Sequence, residues 1–292
     1  MLDFMRLVVR HMKRLKVLRC HDTWSRGLGP GCKGNDFIRE IDIPMLRKLE
    51  LIGLGKSTGT PPPPNKQRTA SFTSLKLYSY NETPEMRFHL ISWPQTLIKF
   101  EFIRAYDDQV YIDLPMVQSW LQIHKDTLKC IKINQLSLQG KGRLFDARGF
   151  LNLEQLQLSR WMMSSTLDTA KEDAELLLGP KLRKFVWNFD ATIDDGFRED
   201  WADFADKEEE WVRSLAHVAI EQGHSLQEIW IEFEPENMGE EADGYPWDRM
   251  DRLHEEVQPF GLEVRYNEPV YTRDEWMEEI ERQRKRRTQK EP

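Results

Sequence analysis

The chain is short of three things, and each shortage excludes a class of protein. It has only three cysteines, Cys20, Cys32 and Cys130, in 292 residues. An odd number, widely spaced, excludes a disulfide framework and points to a reducing compartment, cytoplasmic or nuclear. It has no apolar run near the ~18 residues of a membrane span, so no membrane partner is expected. Met1 to Arg10 is apolar, but Lys13, Arg14 and Lys16 follow it with no small-residue cleavage site, which does not fit a secretory signal. It also lacks an excess of positive charge. Lys plus Arg is 42 against 49 Asp plus Glu, a net of -7, which excludes a generally basic nucleic-acid binder. What it does have is ten Trp and 14 Phe, enough large aromatic surface to require a packed interior.

The strongest pattern is a repeat of apolar, two variable residues, apolar, one variable, apolar. It begins at Leu15, Leu18, Cys20 and returns at Leu46, Leu49, Leu51 and at Phe72, Leu75, Leu77. Then come Leu97, Phe100, Phe102; Leu128, Ile131, Ile133; Leu153, Leu156, Leu158; Leu182, Phe185, Trp187; and Leu226, Ile229, Ile231. Pro259, Leu262, Val264 is a degraded ninth copy. The intervals between starts are 31, 26, 25, 31, 25, 29, 44 and 33 residues. The last two apolar positions lie two apart, so they share one face of a short strand while the residue between them faces the other way. The residues separating successive copies suffice for a parallel crossover. The spacing therefore predicts an α/β leucine-rich-repeat solenoid, a horseshoe. Its curved parallel sheet lines the concave face, and helices and irregular turns form the convex one. Its expected parts are a lead helix over 1–14, eight or nine irregular units over 15–265, and a C-terminal helix with a basic tail over 266–292.

The connections carry helix signals. Asp113 to His124 reads as a capped amphipathic helix with Leu114, Val117, Leu121 and His124 along one side. Thr169 to Leu178 is a second, ended by Gly179-Pro180. An acidic helix is expected from about Asp200 to Gln222, with Trp201, Phe204, Trp211, Leu215 and Val218 inward. Asp248 to Gln258 is a further helix, and Arg273 to Arg287 an exposed one docked by Trp276 and Ile280. Gly27 to Gly34 and Pro61 to Pro64 mark solvated loops. Charge divides between the halves: residues 1–150 carry a net of +10 and residues 151–292 a net of -17. Such a field steers a charged partner, although a solvated polar surface produces the same tally.

Motifs for chemistry are weak. Gly53-Leu-Gly55-Lys56-Ser57-Thr58 imitates a phosphate-binding loop, but Glu50 stands where the first glycine belongs and Pro61 to Pro64 forbid the helix that must follow. Cys20, His21 and Cys32 lack the second ligand pair of a structural zinc site. Acid pairs such as Asp107-Asp108 and Asp194-Asp195 carry little information among 49 acids, and no histidine pairs with a Ser or Cys nucleophile. No catalytic residue, metal or cofactor is expected, and a carboxylate-dependent hydrolase is the remote alternative. The run Arg282 to Arg287 reads either as a nuclear-import signal or as a solvated helix end.

The better candidates are the residues between the paired apolar positions, which face the hollow. Read in order they are Arg19, Glu50, Lys76, Glu101, Lys132, Gln157, Val186 and Trp230, with Tyr78, Asn134, Asn188 and Glu232 beside them. Both signs of charge, grading into aromatic and apolar groups, suit a protein target better than a nucleic-acid backbone, which favours uniform Lys and Arg.

The run Thr127 to Asn134, with Leu144-Phe145-Asp146, Phe150 to Trp161 and Leu178 to Trp187, resembles the repeat region of filamentous-fungal F-box/leucine-rich-repeat proteins over residues 12 to 265. That resemblance implies the substrate-recognition part of an adaptor for cullin-type ubiquitin ligases. In such an adaptor an F-box docks the ligase core subunits and the repeats hold the target. The first copy begins at Leu15, so no F-box is expected within this chain. Ligase core subunits become partners only if one lies upstream. The alternative is a freestanding repeat scaffold or inhibitor with no ligase link.

Overall fold

A computed structural model describes residues 12–21, 43–53, 66–80, 82–103, 112–134, 136, 144–163, 167–192, 198–200, 203–235 and 244–290. Residues 1–11 of the expected lead helix, both solvated loops, Cys32, Trp201 and the acid pairs at 107–108 and 194–195 lie outside these residues, and the end of that expected helix, Met12 to Arg14, is a turn closed by Leu15 N donating to Met12 O at 2.9 Å. The chain divides into two compact units, Met1–Leu153 and Glu154–Pro292.

In the first unit five strands run parallel in chain order: β1 Val17–His21, β2 Lys48–Ile52, β3 Ser74–Tyr78, β4 Lys99–Ile103 and β5 Cys130–Ile133. The register follows the repeat. Leu18, Leu49, Leu75, Phe100 and Ile131 align across the sheet, as do Cys20, Leu51, Leu77, Phe102 and Ile133. From β2 onward both apolar columns are sealed from solvent, together with the strand-entry residues Leu46, Phe72, Leu97 and Leu128. Leu15, Leu18 and Cys20 of the first rung are only half-buried.

Each rung enters its strand the same way. The carbonyl of the residue after the entry apolar accepts two N–H groups from the next rung. Lys16 O takes Arg47 and Lys48 at 2.8 and 3.0 Å, and Arg47 O takes Thr73 and Ser74 at 2.9 and 3.1 Å. Thr73 O then takes Ile98 and Lys99, and Ile98 O takes Lys129 and Cys130. The residue just before the entry apolar adds a side-chain tie to the rung behind. Ser71 Oγ donates to Leu46 O at 3.0 Å, Thr127 Oγ1 to Leu97 O at 2.8 Å, and Asn152 Nδ2 to Asp126 O at 2.8 Å. These ties satisfy turn carbonyls that would otherwise be left without donors.

Among the described residues two α-helices occupy the connections of this unit: α1 Pro84–Ser92 and α2 Leu114–Leu121. Asp113 caps α2 by accepting from Met116 N at 2.8 Å, and Leu114, Val117, Trp120 and Leu121 are buried beneath it. A 3-10 turn continues to His124, as the apolar stripe predicts, and Trp120 joins the buried set. The sequence reading contains no α1. Thr83 caps it with a 3.3 Å bond from Met86 N, and its buried face mixes Met86, Leu90 and Ile91 with Arg87 and Ser92, so no clean apolar stripe announces it.

The second unit repeats the rung. Its strands β6 Gln155–Ser159, β7 Lys184–Asn188, β10 Glu228–Glu232 and β11 Glu263–Tyr266 are parallel neighbours in that order. Glu154 O accepts from Arg183 and Lys184, Arg183 O accepts from Gln227 and Glu228, and Ser225 Oγ ties back to Pro180 O at 3.2 Å. The degraded ninth copy forms β11, with Leu262 and Val264 buried and Pro259 exposed. Helices α3 Ala170–Leu177, α4 Asp206–Glu221, α5 Pro246–Val257 and α6 Arg273–Lys290 complete the unit.

The acidic helix starts six residues later than the sequence suggests. Arg198–Asp200 instead forms strand β9, antiparallel to β8 Asp190–Thr192. At the true start the Glu208 carboxylate accepts from Ala205 N at 3.0 Å, with Asp206 and Glu209 also in the first turn, where negative charge is favoured. Gly223 ends α4 in the left-handed region at φ 66°, a conformation that favours glycine. Helix α6 opens on a capping box: Thr272 N donates to Glu275 Oε2 at 2.8 Å while Glu275 N donates to Thr272 Oγ1 at 3.3 Å. Trp276 and Ile280 are its buried anchors, and Trp276 Nε1 donates to Gly244 O at 2.8 Å.

The core of this unit is a chain of rings. Trp211 meets Phe185 and Trp187, and Trp187 meets Phe189. Phe189 touches Phe233, Phe233 touches Trp247, and Trp247 meets Trp276 edge-on with centroids 5.6 Å apart. Beside it Arg160 and Glu208, both fully buried, pair at 3.0 Å. Glu209 takes Arg213 within α4 at 2.8 Å, and Arg249 and Arg252 of α5 at 2.9 and 3.0 Å, which join the two helices. Burial works against ionising Glu209, but the three guanidinium groups outweigh it and hold its carboxyl below the usual range.

Candidate functional site

Because side chains alternate along a strand, the residues between the buried pairs form columns on the outward face of each sheet. In the first unit the central column is Arg19, Glu50, Lys76, Glu101 and Lys132, aligned residue for residue. Strand spacing of about 4.8 Å brings these alternating charges within reach of one another. Glu50 pairs with Arg19 on the neighbouring strand and with Lys48, two residues earlier on its own, at 2.5 Å. Glu101 takes Lys99 at 2.6 Å and Lys76 at 3.6 Å. The hydrogen bond from Arg19 holds the Glu50 carboxyl down at about 2. Burial opposes ionisation of Glu101, but Lys99, Lys76 and Lys132 together keep it below its ordinary value.

Five of the twelve candidate residues are buried, where a face open to solvent is expected. Glu50 and Val186 are each 2% exposed, and Glu101, Gln157 and Asn188 are nearly as covered. The reason is the column itself, since long side chains on adjacent rungs lie over the shorter or centrally placed ones. Arg19 is exposed, while Lys76, Tyr78, Lys132, Asn134, Trp230 and Glu232 are half-buried. Tyr78 is flanked in register by Ile52 and Ile103. Asn134 follows β5, donates its N–H to Phe102 O at 2.9 Å, and is not brought against any of the other candidates.

In the second unit Gln157, Val186, Trp230 and Arg265 align, and Ser159, Asn188 and Glu232 form the next column. Glu232 Oε2 accepts from Gln157 Nε2 at 2.9 Å and from Asn188 Nδ2 at 2.6 Å. Lys184 pairs with Glu228 at 2.8 Å and sets its Nζ 4.8 Å from the centroid of the Trp230 ring.

The sequence reading omits the column two residues earlier: Lys48, Lys99 and Cys130 in the first unit, Lys184 and Glu228 in the second. The period of two that selects Glu50 and Trp230 also selects these, and they supply the ion pairs. Cys130 is a half-buried thiol outside any disulfide, and burial pushes its pKa up, away from thiolate reactivity.

Among the described residues no group of three His, Cys, Asp or Glu is placed to hold a metal ion, and no helix is long and apolar enough to cross a membrane. His124 is packed core, with Nε2 2.8 Å from Ile91 O; burial lowers its pKa, so the ring is neutral and donates. Gly53 of the phosphate-loop imitation closes β2 at φ 69°, and residues 54–65 lie outside the described structure. The basic run 282–287 falls within α6. No family model, curated protein or solved structure matches the chain.

Proposed function

We propose that the chain is a leucine-rich-repeat-type solenoid whose outward sheet face is a non-catalytic docking surface for a protein target. The observation that carries this reading is the pre-set outward column. Its charges are ordered by neighbouring rungs before any partner arrives, and half-covered aromatic groups, Tyr78 and Trp230, sit on the same faces. Ordering side chains in advance lowers the entropy cost of association, and Tyr and Trp are the types that most often dominate binding energy. The non-catalytic part rests on the carboxylates of the column. Glu50 and Glu101 are committed to cations and held ionised, the opposite of a carboxyl poised to exchange protons near neutrality.

The test is site-specific photo-cross-linking in extract from the native cells. A cross-linker replacing Tyr78 or Trp230 is expected to give one discrete protein adduct, absent when the cross-linker replaces the exposed Glu221 of α4. Reversing charge with Lys132→Glu is expected to remove the adduct from Tyr78. Equal labelling at Glu221, or none at the sheet face, rejects the proposal. The narrower role in a ubiquitin-ligase adaptor is supported by the family resemblance alone. It predicts cullin-type core subunits co-purifying with the natural protein, whereas a freestanding scaffold predicts target without them.

A further inference from the structure

On the sheet face of the second unit one carboxylate is held in place with no cation of its own. Glu232 has no ion pair among the described residues; instead two side-chain amides fix it, both donating to Oε2. Those amides belong to Gln157 and Asn188, only 8% and 5% exposed. Each gives its N–H to the carboxylate and leaves its own oxygen, Oε1 or Oδ1, shut from solvent without a donor. Buried polar atoms are nearly always paired, so two orphans on the residues that orient one carboxylate call for an explanation. They are not needed to neutralise Glu232, since an amide carries no charge. What they achieve is to hold Oε2 and leave Oε1 as the open acceptor.

The surroundings favour a cation. The adjacent column already holds one, Lys184 over the Trp230 ring, and that lysine is committed to Glu228. The unit from 154 to 292 carries a net of -17, which draws positive groups toward it. We propose that Glu232, oriented by Gln157 and Asn188, receives an arginine side chain from the protein docked on this face. The inference rests on the docking-surface reading and supplies the chemistry of its occupant. Arginine is chosen over lysine because the two amides occupy Oε2, so the incoming cation must reach Oε1 of a half-buried carboxylate. A guanidinium is more weakly hydrated than an ammonium and sheds water there at lower cost. An ammonium is a strongly hydrated point charge that loses more on entering the same place.

The experiment titrates the isotope-labelled full chain with three capped tripeptides, Gly-Arg-Gly and its lysine and citrulline counterparts, followed by NMR. Saturable shifts are expected at the Trp230 indole N–H and the Gln157 and Asn188 side-chain amides with the arginine peptide. Binding is expected to be at least about tenfold weaker with neutral citrulline, weaker with lysine, and at least about tenfold weaker for arginine in Glu232→Gln, in line with the strength of a charge-assisted pair. The rest of the spectrum reports whether that variant keeps its fold. Glu221→Gln, which removes an exposed carboxylate of α4, is expected to leave arginine binding unchanged. Equal binding of the three peptides, retention in Glu232→Gln, an equal loss in Glu221→Gln, or no shift at these groups overturns the proposal. If cross-linking at Trp230 persists while arginine dependence fails, only the arginine proposal falls. If arginine binds at Glu232 but the sheet face captures no protein, the docking reading falls and the cation site stands.

Discussion

The two units share one rung and use it differently. The first is net +10 over residues 1–150, seals its rungs with aliphatic columns and phenylalanines, and places its ion pairs on the sheet face, where water still reaches the cations. The second, strongly acidic, fills its interior with linked rings and, besides Lys184–Glu228 on its sheet face, takes ion pairs inward, to Arg160–Glu208 and the Glu209 cluster. The same backbone scheme therefore tolerates opposite placements of charge. In the first unit charge organises a surface, and in the second it ties helices together.

Four measurements sharpen or break that contrast. The largest effect is expected from Glu208→Ala, which removes the buried carboxylate paired with the Arg160 guanidinium in the core of the second unit. Loss of one partner of a buried pair costs about 3–5 kcal/mol, read from urea unfolding. A loss under about 1 kcal/mol would mean the pair is no better sheltered than those on the first unit's face. Next is Leu77→Ala in the first unit, where a fully buried rung position is expected to cost about 2–5 kcal/mol. Thr127→Ala removes one rung-to-rung tie and is expected to cost about 1 kcal/mol, which a double-mutant cycle with a distant site should leave unchanged. The smallest effect is on pH dependence. The folded Glu50 carboxyl sits at about 2 against an ordinary 4.5, so its contribution is complete above 4.5 and fades as pH falls toward 2. Glu50→Gln is therefore expected to unfold at lower urea than the parent at pH 6, with the gap closing in more acid solution. A gap that does not depend on pH would deny the Arg19 and Lys48 pairing.

The rungs were readable because their signal is the burial itself. Leu49 and Leu51, or Ile229 and Ile231, are apolar where the sheet packs, and the register follows from that spacing. Helix α1 was not readable, since its buried face includes Arg87, whose guanidinium donates to Tyr80 O at 2.9 Å, and a charged residue in that position hides the stripe. Strand β9 is charged at all three of its positions, Arg198 to Asp200, so it reads as the start of an acidic helix. The candidate site was legible as a set of positions but not as an electrostatic arrangement. Glu50 and Glu101 look like exposed acids in a polar chain, and only cross-strand register reveals that the cations two residues earlier lie against them.

The doubly used carbonyl at each strand entry has a consequence for how such a chain changes length. Each rung from the first to the fourth lends that oxygen to two N–H groups of its successor, and Glu154 O and Arg183 O do the same in the second unit, so the join is the same at each of these places. Excising the stretch from Phe72 to Thr96 would hand Arg47 O a new pair of donors, Ile98 and Lys99, in place of Thr73 and Ser74. A cut ending one residue to either side would leave that oxygen facing the wrong residues. Growth and loss by whole modules is thus written into the backbone, independent of which side chains the outward face displays.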